Sequence, residues 1–201
     1  RLTVLNTTAK EVMSRQHSYS SPVLRIGGTR NLIYNLGGTG YQIETLSKTV
    51  IKGNAQGNIL TGDIASNGRY ALVTEEKGYA SKLTVYLPDN SEQYVFQFAD
   101  YYVTDISLNR DGTRAAVTAI SAENGGIVSA VYLFNFSNPQ EERKILYPET
   151  LLLRVFYESD GTIVTIGDNL VSFLKEGNEE KKDYSYQSQQ LCDYAVDNGR
   201  V

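Results

Sequence analysis

The sequence predicts an all-β fold made of β-propeller blades, each a four-stranded antiparallel sheet. The first observation is a repeat of glycines at intervals of 40, 44, 49 and 38 residues: Gly28, Gly68, Gly112, Gly161 and Gly199. The last four complete an Asn-Gly or Asp-Gly pair. Such pairs favour two-residue β-hairpin turns, because both central residues need positive φ. The interval is close to the ~40–45 residues of a propeller blade.

The second observation is that similar strand-like runs surround each turn. The stretch Asp63–Val73 lines up with Asp105–Val117. Each hairpin then leads to a third, apolar run and a fourth, more polar run: Lys82–Leu87 and Gln93–Phe98, Ile127–Phe136 and Arg143–Tyr147, Asn169–Leu174 and Lys182–Tyr186. Radial packing of blades requires apolar inner strands and a polar outer one. A β-sandwich also has short strands, but it lacks this higher repeat.

Residues 1–201 are therefore predicted as a single β-propeller region. Complete blades are assigned to 21–52, 61–98, 103–147 and 151–187. Residues 1–20 are expected to supply the third and fourth strands of a partial blade, and residues 191–201 a first strand and the opening of a second. Joining the two ends would leave unpaired backbone groups in that sheet. We therefore expect an incomplete arc of blades, or self-association in which another chain covers the exposed edge strands.

The composition limits which ligands the protein can bind and which covalent cross-links it can form. The net charge of −4 and the pI near 5.1 argue against a nucleic-acid partner, which would need clustered Lys and Arg. The charged run Glu141–Lys144 mixes both signs and is interpreted as a solvated segment. Cys192 is the single cysteine, so no internal disulfide can form, and it is predicted to be a buried structural thiol.

No residue pattern predicts a catalytic site, a metal site or a cofactor. The absence of Trp and the single Cys disfavour a quinoprotein dehydrogenase, and His17 is the only histidine available to a hydrolase. Asp63, Asp105 and Asp193 recur near first strands, close to the expected central channel. Because catalysis needs asymmetry, their repetition favours a structural role in which they bond backbone amides.

Four stretches carry a resemblance to a known family: Thr61–Val85, Val103–Ser121, Phe156–Phe173 and Tyr184–Gly199. They resemble bacterial membrane-anchored β-propellers that carry a domain of unknown function. The resemblance implies a seven- or eight-bladed fold related to quinoprotein-like and WD40-like propellers, and an extracytoplasmic, membrane-anchored location. The implied anchor is absent from this chain, where no apolar stretch approaches ~18 residues. The resemblance lends no catalytic residues.

Propeller topology predicts where a partner would bind. The second-to-third and fourth-to-first strand connections share one face, opposite the Asn-Gly and Asp-Gly turns. These connections are longer and dissimilar, and rigid scaffolds with variable loops commonly carry binding function. The candidate binding residues in and beside them are Tyr79, Tyr101, Tyr102, Asn124 and Asp168. Tyr79 and Tyr101 are the candidate anchors, provided that their rings are not buried between blades.

The sequence thus favours a non-enzymatic interaction or sensor module that binds a protein, a peptide or a glycan. An alternative is an enzyme whose catalytic residues lie partly outside this chain. A purely structural spacer is the third reading. Convergent carboxylates in a pocket would favour the enzyme, whereas a tyrosine-lined face would favour the module.

Overall fold

The computed structural model describes residues 1–177, 181–187 and 189–196. It confirms the predicted fold class, because four four-stranded antiparallel sheets follow a two-stranded sheet along the chain. Within the described residues the only helical element is a 3₁₀ turn at Pro139–Glu141. No helix in this part of the chain is long and apolar enough to cross a membrane.

The strands follow one another in chain order from the inside of each blade to its outside. The N-terminal hairpin is β1 (Leu2–Leu5) and β2 (Glu11–Arg15). Blade 1 is β3 (Pro22–Gly27), β4 (Arg30–Asn35), β5 (Gly40–Glu44) and β6 (Thr49–Asn54). Blade 2 is β7 (Ile59–Ile64), β8 (Tyr70–Glu76), β9 (Tyr79–Tyr86) and β10 (Glu92–Phe98). Blade 3 is β11 (Tyr102–Leu108), β12 (Arg114–Glu123), β13 (Gly126–Asn135) and β14 (Arg143–Pro148). Blade 4 is β15 (Leu152–Tyr157), β16 (Thr162–Gly167), β17 (Leu170–Lys175) and β18 (Lys181–Ser185).

Hydrophobic side chains join each blade to the next. Leu32 and Tyr70 belong to a buried cluster between blades 1 and 2, and Val131 and Ile163 to one between blades 3 and 4. Between blades 2 and 3, Phe98 meets Tyr132 edge to face, among further buried residues of both sheets. Aromatic pairs of this geometry add to the free energy of apolar burial. The clusters fix the order of the blades and hence the position of their loops.

The marker glycines lie at first-to-second strand turns, as predicted. Gly28, Gly68, Gly112 and Gly161 all have positive φ, which only glycine adopts readily. The fifth marker, Gly199, lies outside the described residues.

The turns also correct the predicted alignment of two aspartates. The Gly68 N–H donates to the Ala65 carbonyl and the Gly112 N–H to the Asn109 carbonyl, so each turn begins three residues before its glycine. Counted from these turns, Asp105 is equivalent to Thr61. Asp63 is equivalent to Ser107, so the alignment of Asp63 with Asp105 is wrong by two residues.

The segment that follows blade 4 also differs from the prediction. Residues 191–196, expected to form a first strand, contain no strand. Leu191, Tyr194 and Val196 instead pack against the apolar face of blade 4. Cys192 is exposed rather than buried, because the alternating pattern around it is not incorporated into a sheet. The rest of this predicted partial blade, residues 197–201, lies outside the described residues.

Candidate functional site

An open groove of about 900 Å³ lies between blades 2 and 3 on the face that carries the second-to-third and fourth-to-first connections. We call this the loop-rich face, and the opposite side, with the marker turns, the turn face. The groove is lined by residues of the β10–β11 connection, the β12–β13 hairpin and the neighbouring strands, including Asp100, Tyr101, Tyr102, Ile120, Glu123 and Lys144.

A hydrogen bond between blades sets the position of the groove. The Val103 N–H donates to the Ser81 hydroxyl at 3.0 Å, which holds the start of β11 against the start of β9. The bond recurs one blade later, where the Leu152 N–H donates to the Ser129 hydroxyl at 3.0 Å. It places the start of β9, where Tyr79 precedes the groove residue Ala80, at the edge of the groove.

A long hairpin forms one wall of the groove. Strands β12 and β13 have 10 residues each, longer than the other strands described. Their turn, Asn124-Gly125, has φ of 51° and 82°, the left-handed pair that a tight hairpin requires. Strand β11 begins at Tyr102, opposite Ile120, so the end of β12 extends beyond its inner neighbour. Asn124 therefore lies at the tip of a projecting wall.

Tyr101 forms the floor of the groove and is not a free anchor. Its residue is only 6% exposed, its ring meets Tyr132 edge to face, and the Lys144 ammonium lies 3.7 Å from its ring centroid. Its hydroxyl donates to the Glu123 carboxylate at 2.9 Å. Burial, assisted by this bond, raises the pKa of Tyr101 to about 12, so the phenol keeps its proton at neutral pH. The predicted anchor role of Tyr101 is wrong, because the side chain points between the blades.

The exposed apolar side chains around the groove come from its rim. Tyr102 is 62% exposed, Ile127 49% and Tyr79 43%. Of the predicted residues, Tyr101 and Tyr102 line the groove, whereas Tyr79 and Asn124 each adjoin a lining residue.

Asp168 lies elsewhere, in the β16–β17 turn of blade 4. Its carboxylate accepts the Leu151 N–H at 2.9 Å, which holds the connection from blade 3 in place. Sequence reasoning missed Glu123 and Lys144. Lys144 was assigned to a solvated charge run, and no local pattern relates it to the ring of Tyr101.

A second group of charged residues lies nearer the propeller axis, and we call it the axial cluster. The side chain of Asp105 is 3% exposed and accepts from Arg25 Nη2 at 2.8 Å and from the Thr61 hydroxyl at 3.2 Å. Arg154 Nε forms an ion pair with it at 3.0 Å, although the angle is not that of a hydrogen bond.

Asp63 adjoins the axial cluster and bonds the backbone. Its carboxylate accepts the Leu108 N–H at 2.7 Å. Burial raises the pKa of Asp63 to about 6 despite this bond and the nearby charge of Arg25. The carboxylates of Asp105 and Asp63 are therefore each bonded to arginine or backbone groups, and they do not face each other across an open site. In the part of the chain that the structure describes, no group of three His, Cys, Asp or Glu side chains could hold a metal ion.

Comparison with known proteins supports the fold. Residues 1–198 match the model of DUF5711, a family of unknown function. Among solved structures, the chain resembles the propeller Hsv2 of Kluyveromyces lactis, with a TM-score of 0.60 and 12% identity over 93% of this chain and 58% of that one. A variant of Hsv2 with loop 6CD replaced by a Gly-Ser linker gives 0.66 and 14%, over 94% of this chain and 63% of that one. The chain thus spans less than two thirds of these propellers, and no curated protein matches it.

Proposed function

We propose that this chain, which belongs to DUF5711, a family of unknown function, is a non-enzymatic binding module. The proposal rests on the geometry of the loop-rich face. The ligand is taken at this face, in the groove between blades 2 and 3. The observation that carries this proposal is the exposure of Tyr102 and Ile127 beside an open groove that also contains Asp100. Exposed aromatic and aliphatic side chains at a concave site are typical anchors for a partner.

The axial cluster supports binding rather than catalysis. Asp105 is neutralised by Arg25 and Arg154, and Asp63 bonds a backbone amide. A general acid or base must reach a substrate proton, and these carboxylates already have their partners. The groove residues Tyr101 and Glu123 likewise bond each other and form a support for the rim.

The proposed ligand is a protein, a peptide or a glycan. The extracytoplasmic, membrane-anchored location belongs to the proposal as well, and it rests on the resemblance to membrane-anchored propellers alone. A ligand for such a module would be met outside the cytoplasm.

The test compares two exposed tyrosines. A random peptide library and a glycan array are screened with the protein, and binders are titrated against Tyr102→Ala and Tyr184→Ala. Tyr184, on β18, is 58% exposed and lies on blade 4, away from the groove. We expect Tyr102→Ala to weaken binding by about 1–3 kcal/mol, which is roughly 5- to 150-fold, and Tyr184→Ala to leave it unchanged. Equal affinities for Tyr102→Ala and the unaltered protein would refute the groove as the site.

A further inference from the structure

We propose that the groove binds an extended, positively charged peptide segment, which adds as a β-strand to the free edge of β12. The proposal deepens the binding function proposed above and rests on it. It commits to a peptide, and a glycan ligand is an outcome that would contradict it.

The free edge follows from the register of the long hairpin. Its two-residue turn makes Glu123 and Gly126 the closing pair, which exchange hydrogen bonds across the hairpin. Bonding alternates along the strand, so the N–H and C=O of Ala122 point away from β13. They point toward the side where β11 has already ended, at Tyr102 opposite Ile120. Ala122 is exposed and lines the groove.

Two other blades show how such an edge is closed. In blade 2 the Glu75 N–H, near the end of β8, donates to the Asn58 carbonyl at 2.9 Å. In blade 4 the Asp168 N–H, just after β16, donates to the Leu151 carbonyl at 3.0 Å. In blade 3 the described residues give no such bond between the end of β12 and the connection before β11.

The other side of the hairpin in blade 3 is closed. There the Ile127 carbonyl accepts the Glu149 N–H at 2.9 Å. The unpaired edge of this blade therefore faces the groove, and an unpaired strand edge is a template for another strand.

The charge of the groove selects the partner. Asp100 and Glu123 are exposed at its rim, whereas the Lys144 ammonium is held over the ring of Tyr101. The connections and strand ends of the same face also carry the exposed carboxylates of Glu75 and Glu149 and the exposed ammonium of Lys77. Glu76 is paired with Lys82 at 3.4 Å, and Asp168 accepts the Leu151 N–H. Carboxylates therefore remain in excess around the groove. Complementary charge attracts a basic segment and rejects an acidic one.

The rim also fits the geometry of a strand. Side chains of an added strand alternate between its two faces. Alternate residues of the peptide can therefore contact the exposed apolar side chains of Tyr102 and Ile127, while the others lie near the carboxylates. A neutral glycan would use neither the backbone edge nor the charge.

The experiment selects twelve-residue random peptides on the whole chain and measures the enriched ones by fluorescence polarisation. We expect Lys and Arg to be enriched. Ala122→Pro removes the N–H that faces the groove and leaves the bonds to β13, so we expect affinity to fall about tenfold. Ala122→Ser keeps the N–H and serves as the matched control. Asp100→Asn should weaken binding a few-fold, whereas Glu92→Gln, the same charge change beside the turn face, should not.

A second measurement does not depend on the folding of Ala122→Pro. The selected peptide is resynthesised with single N-methyl groups along its backbone. Of the residues described in β12, Ala122 is the one whose N–H and C=O are free on this side, so strand addition predicts that methylation weakens binding at the one position whose N–H pairs with the Ala122 carbonyl.

The two proposals can fail separately. Binding that depends on Tyr102 but tolerates both Ala122→Pro and every N-methyl group would overturn strand addition and leave the groove as the site. Enrichment of acidic peptides, or Tyr102-dependent binding of glycans alone, would also overturn the addition of a basic peptide strand and leave the groove as the binding site. Binding that ignores Tyr102 as well would overturn both.

Discussion

The axial cluster and the groove both bring charged residues from separate strands together, but they differ in how those charges are satisfied. In the axial cluster, the buried carboxylate of Asp105 is shared by Arg25 and Arg154. At the groove, the charged side chains of Asp100 and Glu123 are exposed at the rim. A buried charge must be paired to be tolerated, whereas an exposed one can be kept for a partner. The difference separates residues that hold the blades together from residues available to a ligand.

The largest expected effect tests the structural side of this comparison. Asp105→Ala leaves the guanidinium groups of Arg25 and Arg154 without their shared carboxylate. We expect the free energy of unfolding to fall by about 3–5 kcal/mol, measured by urea denaturation. Asp100→Ala is the control and should change it by less than about 0.5 kcal/mol. If the two variants are equally stable, the distinction between the two regions fails.

The second effect is the contribution of Asp63 to the pH dependence of the free energy of unfolding. Its folded-state pKa of about 6 lies above the ordinary value of 3.8, so its stabilising contribution is complete below 3.8 and is lost as the pH rises through 6. Asp63 is half-buried, so solvent screens part of the effect, and we expect this loss to be only about 1–2 kcal/mol between pH 4 and pH 7. Asp63→Asn cannot ionise and should gain stability relative to the unaltered protein by that amount over the same range. Urea denaturation at successive pH values measures it, and parallel curves for the two proteins would contradict the assignment.

The smallest effect separates the two adjacent tyrosines. Tyr101→Phe loses the hydrogen bond to Glu123 and should lower the free energy of unfolding by about 0.5–1.5 kcal/mol. Tyr102→Phe removes the same hydroxyl from a side chain that is 62% exposed and should not change stability measurably. Thermal and urea unfolding of both variants provide the comparison. A larger loss for Tyr102→Phe would reverse the roles given to the two rings.

The fold was predictable because its signals are local. An Asn-Gly or Asp-Gly pair specifies a hairpin within a few residues, and the marker glycines Gly68, Gly112 and Gly161 form those turns. The alignment of Asp63 with Asp105 was not predictable from composition, since a shift of two residues keeps the same alternation of side chains. Hydrogen bonds around the turns were needed to correct it.

The site was predictable only as a face of the molecule. Neighbouring residues of an extended chain point to opposite sides, and here Tyr101 is buried whereas Tyr102 is exposed. Sequence alone could not say which of the two is buried. The contact of Lys144 with the ring of Tyr101 depends on how blade 3 packs on blade 2, and such distant contacts leave no local pattern.

The height of the projecting β12–β13 hairpin, and with it the depth of the groove, can change without altering the rest of the blade. Side chains alternate with a period of two, so adding two residues to each of β12 and β13 would raise the wall by roughly 7 Å and keep every inward residue inward. Adding one to each strand would exchange the inner and outer faces of the extension. The depth of the groove is therefore free to vary in steps of a residue pair, so related chains could accommodate partners of different size on the same four-stranded sheet.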